Sequence, residues 1–262
     1  MMGWGTSTMR RFASLLAAMV ALTGCVSTRQ YADLQFAPPQ GDYKLLVLRP
    51  DVSVSLLTTG GIAEQRADWT STARANLLAA LRAQQASRGG NVTIMDRRDS
   101  LPGIPADTVA ELERLNDAVD SAIAEHKYFG NTLPTKRRMG LDYTLGEDAV
   151  AFGKRTGFDY MLFLHADDQV ASTGRVAMQV IGVAGCFIGF CAPSGGGGQL
   201  AYASLVDLRT GEVVWFNLLQ TGSQLPGVGV TDLRTPAGAS VMVERLLGRM
   251  KPGRNGARGM RP

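Results

Sequence analysis

Histidine and cysteine are scarce in this chain, with two and three copies among 262 residues. Zinc sites of the usual kind draw most of their ligands from those two residue types at short spacings, so no metal centre is expected. No glycine-rich stretch runs into Gly-Lys-Ser or Gly-Lys-Thr, which removes the phosphate loop, and no nucleophile elbow is present. No cofactor is implied. A basic body is missing as well. The formal net charge is +4, but Arg10 and Arg11 at one end and Arg249, Lys251, Arg254, Arg258 and Arg261 at the other supply it. Between Val26 and Gly248 acidic residues slightly outnumber basic ones, so nucleic acid gets no support as a partner. Long apolar runs are also absent. Phe12 to Leu22 and Val176 to Cys191 both fall short of the roughly 20 residues a spanning helix needs.

What is present begins with Met9-Arg10-Arg11, an apolar core from Phe12 to Leu22, and Leu22-Thr23-Gly24-Cys25. A positive start, a short apolar stretch and small residues before a cut describe a secretory signal. The final four residues resemble the lipobox of bacterial lipoproteins, which implies cleavage between Gly24 and Cys25 and acylation of Cys25. Each buried methylene adds about 0.8 kcal/mol, so several chains on one residue anchor stably where one alone is marginal. No aspartate follows Cys25. By analogy with enterobacterial sorting, the expected location is the periplasmic face of the outer membrane. Residues 1–24 are then the signal, with Met9 a plausible start. Residues 25–42, polar with Pro38 and Pro39, are expected to be a flexible tether. Residues 251–262 form a basic, disordered tail.

Residues 43–250 carry the pattern of a single α/β domain. Strands are expected at Tyr43–Leu48, Val52–Leu57, Asn91–Met95 and Phe158–Ala166. Two more, Ala201–Leu208 and Val213–Asn217, are joined at Arg209-Thr210-Gly211 by a turn with a glycine bulge. Leu205 and Tyr202 should lie on opposite faces, as should Trp215 and Phe216. Helices are expected from Asp68 or Thr70 to Ala86, from Pro105 past Ile123, from Thr144 to Gly157 with a capping box, and from Pro236 to Met250. The second should bury Val109, Leu112, Val119 and Ile123 and keep Glu111, Glu113, Asp117 and Asp120 wet. The last carries the clearest amphipathic stripe. A mixed sheet of about five to six strands with helices packed against it follows.

The run Thr156-Gly157-Phe158-Asp159-Tyr160-Met161-Leu162-Phe163, followed some forty residues later by Leu205-Val206-Asp207-Leu208-Arg209-Thr210-Gly211-Glu212-Val213-Val214-Trp215, carries a resemblance. It is similar to the periplasmic α/β domain shared by curli-secretion-channel lipoproteins, lipoprotein activators of penicillin-binding proteins and the amino-terminal domain of the Tol-system propeller protein. That resemblance covers Tyr43 to Met250. It implies roles in envelope assembly, secretion or regulation through protein contacts rather than catalysis, with envelope proteins as partners and a homo-oligomeric channel component as the alternative. The channel-forming members insert transmembrane hairpins, whereas this chain offers at most one candidate insert.

That insert, Val176 to Cys191 within the Gly-rich stretch 176–198, has glycines interrupting apolar residues and is read either as an exposed loop or hairpin that makes a partner or membrane-surface contact or as a flexible insertion. Cys186 and Cys191, with four residues including Gly189 between them, can close a small disulfide loop. Lys136, Arg137 and Arg138 sit in a polar loop that could meet anionic head groups or simply be solvated. His165 and Asp167 alternate onto one strand face, the arrangement a hydrolase alternative would require. No third partner motif accompanies them, and His126 lies on another element. Asp207 is expected to cap the hairpin turn, and Trp215 and Phe216 to be core.

Overall fold

The computed structural model describes residues 26–88, 91–130, 140–186, 189, 195–222, 231–248 and 250–251. In chain order the elements are β1 (Val26–Ala32), β2 (Lys44–Val47), β3 (Asp51–Leu57), β4 (Ala63–Gln65), α1 (Ala67–Arg88), β5 (Asn91–Ile94) and α2 (Ala106–Lys127). They continue with α3 (Gly146–Thr156), β6 (Tyr160–Ala171), α4 (Thr173–Cys186), β7 (Gly197–Asp207), β8 (Glu212–Gly222) and α5 (Pro236–Leu247). The eight strands form one mixed sheet in the order β1-β8-β7-β6-β2-β5, with β3 also on β6 and β4 on β3.

The β6-β7-β8 meander is the spine. Phe158 to Ala166 is apolar, but the strand runs on to Ala171, because Asp167 to Val170 find ladder partners in β7. On its other edge β6 pairs in parallel first with β2 and then with β3. These two are one line of chain interrupted at Arg49-Pro50, where proline has no N–H to give to a ladder. Between β7 and β8 the turn closes at Gly211, whose φ of 76° only glycine adopts freely. Gly211 N–H donates to the Asp207 carbonyl at 2.7 Å, and the Asp207 side chain accepts from Arg209 N–H at 2.9 Å. The bulge falls not at the turn but between Leu205 and Val206, which pair with Trp215 and Val213. The extra residue, Val214, reverses the phase of β8. Val213 and Trp215 therefore belong to opposite cores although they are two residues apart.

One face, with Leu162, Leu205 and Trp215, packs under α1 through Ala73, Leu77 and Leu81 and under α5 through Met242, Val243 and Leu246. The other, with Met161, Val206 and Phe216, packs under α2 through Val109, Leu112 and Ile123 and under α3 through Ala149 and Phe152. Trp215 and Phe216 are both wholly buried, and Tyr202 and Leu205 divide between the faces.

Three expectations need correction. The flexible tether does not begin after Cys25: Val26–Ala32 is an edge strand, antiparallel to β8 from Val26 opposite Thr221 to Ala32 opposite Trp215. Its partner lies nearly two hundred residues away, out of reach of any local pattern, and Phe36 beyond it is buried too. Asp120 is buried rather than wet, because Asn116 and Asp120 continue the inward row of α2 while Val119 is only partly covered. The capping box is not made either. Leu145 is the N-cap of α3, while Thr144 Oγ1 accepts from Gly146 N–H at 2.9 Å and donates to the Gly211 carbonyl at 3.0 Å. This stitches the start of α3 to the hairpin turn.

Candidate functional site

The break at Pro50 leaves a cavity of about 310 Å³ beyond the carboxyl end of β2, between β6 and α2. Open α/β sheets place their ligand crevices at such positions. Its lining includes Asp51, Asp117, Asp120, His165 and Tyr202, together with the basic residues Arg49, Arg74, Arg98 and Arg114. His165 and Asp167 do share a face, but the imidazole is taken by another carboxylate. His165 Nδ1 lies 2.8 Å from Asp51 Oδ2, because parallel pairing sets Asp51 beside His165. The imidazole also stacks on Tyr202, with centroids 4.6 Å apart. The bond to His165 holds the Asp51 carboxyl below the usual range. Burial alone would depress His165, but the hydrogen bond and charge of Asp51 outweigh it and raise the imidazole.

At the floor, Asp120 Oδ2 accepts from Asn116 Nδ2 at 2.7 Å and from Ser204 Oγ at 2.8 Å. Among the described residues Oδ1 has no hydrogen-bond partner. Full burial pushes the Asp120 carboxyl up to about 7 despite those two donors. Burial also raises Asp117 and Asp167. Asp120 can hold and exchange a proton near neutrality, but the hydroxyl beside it, that of Ser204, is wholly buried. Among the described residues no group of three His, Cys, Asp or Glu side chains is placed to hold a metal ion. His126 lies elsewhere, 3.1 Å from the Tyr143 hydroxyl.

Asp51 could not be found from sequence, since only the parallel register of β3 on β6 brings it to His165. Asp120 could have been: Val109, Leu112, Asn116, Asp120 and Ile123 follow helical spacing, and the charge obscured the stripe.

The second feature is the end of the sheet from which β1 starts. Val26 pairs with Thr221, Gly198 with Gly222, Gly197 with Val170, and Leu57 with Ala171, so all these positions share one end. There α4 leaves β6, and the turn from β3 to β4 touches it through Arg175 Nη1 on the Thr59 carbonyl at 3.4 Å. The first part of the candidate insert, as far as Cys186, thus lies in a helix from Thr173 to Cys186 rather than in a loop or hairpin. No helix among the described residues is long and apolar enough to cross a membrane. Residues 1–25, with the signal, Gly24 and Cys25, lie outside the described residues. So do the Lys136-Arg137-Arg138 loop, Cys191 and the side chain of Cys186, and the tail after Lys251.

No family model matches the chain, and no curated protein does. Solved structures similar to it include a PelC dodecamer from Paraburkholderia phytofirmans in a second crystal form, at 15% identity and a TM-score of 0.34 over 86% of this chain and 99% of that one. The PelC dodecamer of a point variant aligns at 13% and 0.36 with the same coverage. The LpoB C-terminal domain from Salmonella enterica aligns at 13% and 0.25 over 70% of this chain and 86% of that one. Superpositions this loose bear on neither function nor partner.

Proposed function

We propose that the chain is a lipoprotein of the outer membrane, held on the periplasmic face by acyl chains on Cys25, that works through protein contacts in envelope assembly, secretion or regulation. The observation that carries this reading is Leu22-Thr23-Gly24-Cys25 directly before Val26, where β1 begins. Consecutive Cα atoms are about 3.8 Å apart, so an acylated Cys25 holds the sheet edge against the lipid with no tether between. In this reading Cys186 and Cys191 form a disulfide after α4, and residues 251–262 trail as a basic tail.

Mass spectrometry of the membrane-extracted protein tests the anchor. The expected N-terminal peptide starts at Cys25 with acyl chains attached, and a Cys25→Ala variant should leave the membrane fraction. A variant that stays there in high salt would sink the reading. The mass of the protein in mild detergent then separates a monomer from the homo-oligomer.

A further inference from the structure

Four of the five large apolar side chains most exposed among the described residues gather at the end of the sheet where β1 starts: Ile62, Met178, Val180 and Ile181. Three of them are on α4, which is built inside out. Beyond Thr173 at its exposed start, its polar side chains face the body: Gln179 is wholly buried, and Arg175, the one charged residue of the helix, donates from Nε to the Gly195 carbonyl at 2.8 Å. Its opposite side presents Met178 at 45%, Val180 at 54% and Ile181 at 71% exposure, with Ala177 and Ala184 also exposed. A surface helix in water normally carries the reverse arrangement. Ile62, 68% exposed, extends the patch from the turn between β3 and β4, where Gly61 lies beside Arg175.

We infer that this face of α4, together with Ile62, lies in the head-group layer of the leaflet to which Cys25 is anchored, as a second membrane contact. The inference rests on the anchoring reading above. What selects lipid over a protein partner is where the chain outside the described residues joins them: Cys25 is bonded to Val26, at the same end of the sheet as the root of α4. Three strand steps separate β1 from β6, roughly 14 Å at about 4.8 Å per step, so the acyl chains and the helix meet one plane at two points. The helix has 14 residues and is about 21 Å long, which suits lying in the interface rather than crossing it. Two contacts fix the tilt of the sheet, so its hairpin end points away from the membrane.

The full-length protein, purified from membranes with its acyl chains, is reconstituted into phosphatidylethanolamine and phosphatidylglycerol vesicles carrying a photoactivatable acyl-chain diazirine. Label is expected on peptides covering α4 and Ile62 as well as beside Cys25. Phe129, the fifth exposed apolar side chain, should stay clean, since its neighbour Tyr128 bonds the Arg29 carbonyl, midway along β1. A Met178→Ser, Val180→Ser, Ile181→Ser variant should keep its acyl chains, membrane fraction and circular dichroism while label on α4 drops several-fold. An acylated protein labelled only beside Cys25 overturns the inference, as does α4 crosslinked to a second copy in place of lipid. If Cys25 proves unacylated, the anchoring reading fails by itself. The same vesicles mixed with that chain then decide the leaflet contact: label on α4 supports it and a clean helix overturns it.

Discussion

The two ends of the sheet are finished in different ways. At the hairpin end, polar groups meet partners within the chain. Arg209 reaches Asp207 at 2.5 Å and the Tyr160 hydroxyl at 2.8 Å, Lys44 N–H donates to Asp159 at 2.9 Å, and Leu145 N–H and Thr144 Oγ1 both bond the Gly211 carbonyl. At the opposite end the helix that closes the sheet turns its apolar side outward and its polar side in. Water can complete the first surface but gains nothing from the second, where apolar area left exposed forgoes about 25 cal/mol per Å² of burial. A folded chain that satisfies one end internally and leaves the other apolar has a direction built into it.

Three measurements can break or sharpen that contrast. The largest effect is expected from Gly211→Val. Its φ of 76° strains any β-branched residue, and an added Cβ would come within 2.5 Å of the Gly146 carbonyl oxygen, which belongs to α3. A loss of about 3 kcal/mol in urea unfolding is expected. An unchanged midpoint would mean the hairpin end is not the closed structure described.

Next is Asp120→Asn, between the two ends. The folded state keeps the Asp120 proton up to about pH 7, whereas an unfolded aspartate releases it near its ordinary value of 3.8. Folding therefore takes up a proton within that window, and wild-type stability should fall as pH rises through it. The variant should show a flatter profile and gain on wild type by on the order of 2 kcal/mol between about pH 5.5 and pH 8. Parallel profiles from urea midpoints would remove the proton from Asp120. The smallest effect belongs to Ile181→Ser at the α4 end. With the side chain 71% exposed, stability without membranes should move by less than about 0.5 kcal/mol. A larger loss would show that α4 is holding the fold together rather than facing outward.

Much of the spine was legible because its signals are local. Apolar residues from Phe158 onward, the Asp207 to Gly211 turn and the opposed Trp215 and Phe216 all lie within short windows, and so does the amphipathic stripe of α5. What escaped depends on distant partners. The row of Thr28 to Ala32 becomes a strand only because β8 offers it an edge, and β4 only because β3 does. The bulge at Val214 lets Val213 and Trp215 face apart, which strict alternation forbids. In α4 the glycines hid a helix from propensity, and its outward apolar side defeats the rule that buries such residues. At the cavity, His165 was visible as an isolated histidine, but Asp51 and the Asp120–Ser204 bond are products of register.

The pairing of the first strand with the last has a consequence in time. β1 precedes every other described strand along the chain, yet it cannot settle until β8, which follows it by almost two hundred residues, has been laid against β7. Until then the outer ladder of β8 is an open template for other strands, and the late, long-range closure is of the kind that folds slowly. A chain cut before Glu212 would leave Tyr31 and its neighbours without an edge to join, so closure of the sheet waits on the arrival of β8.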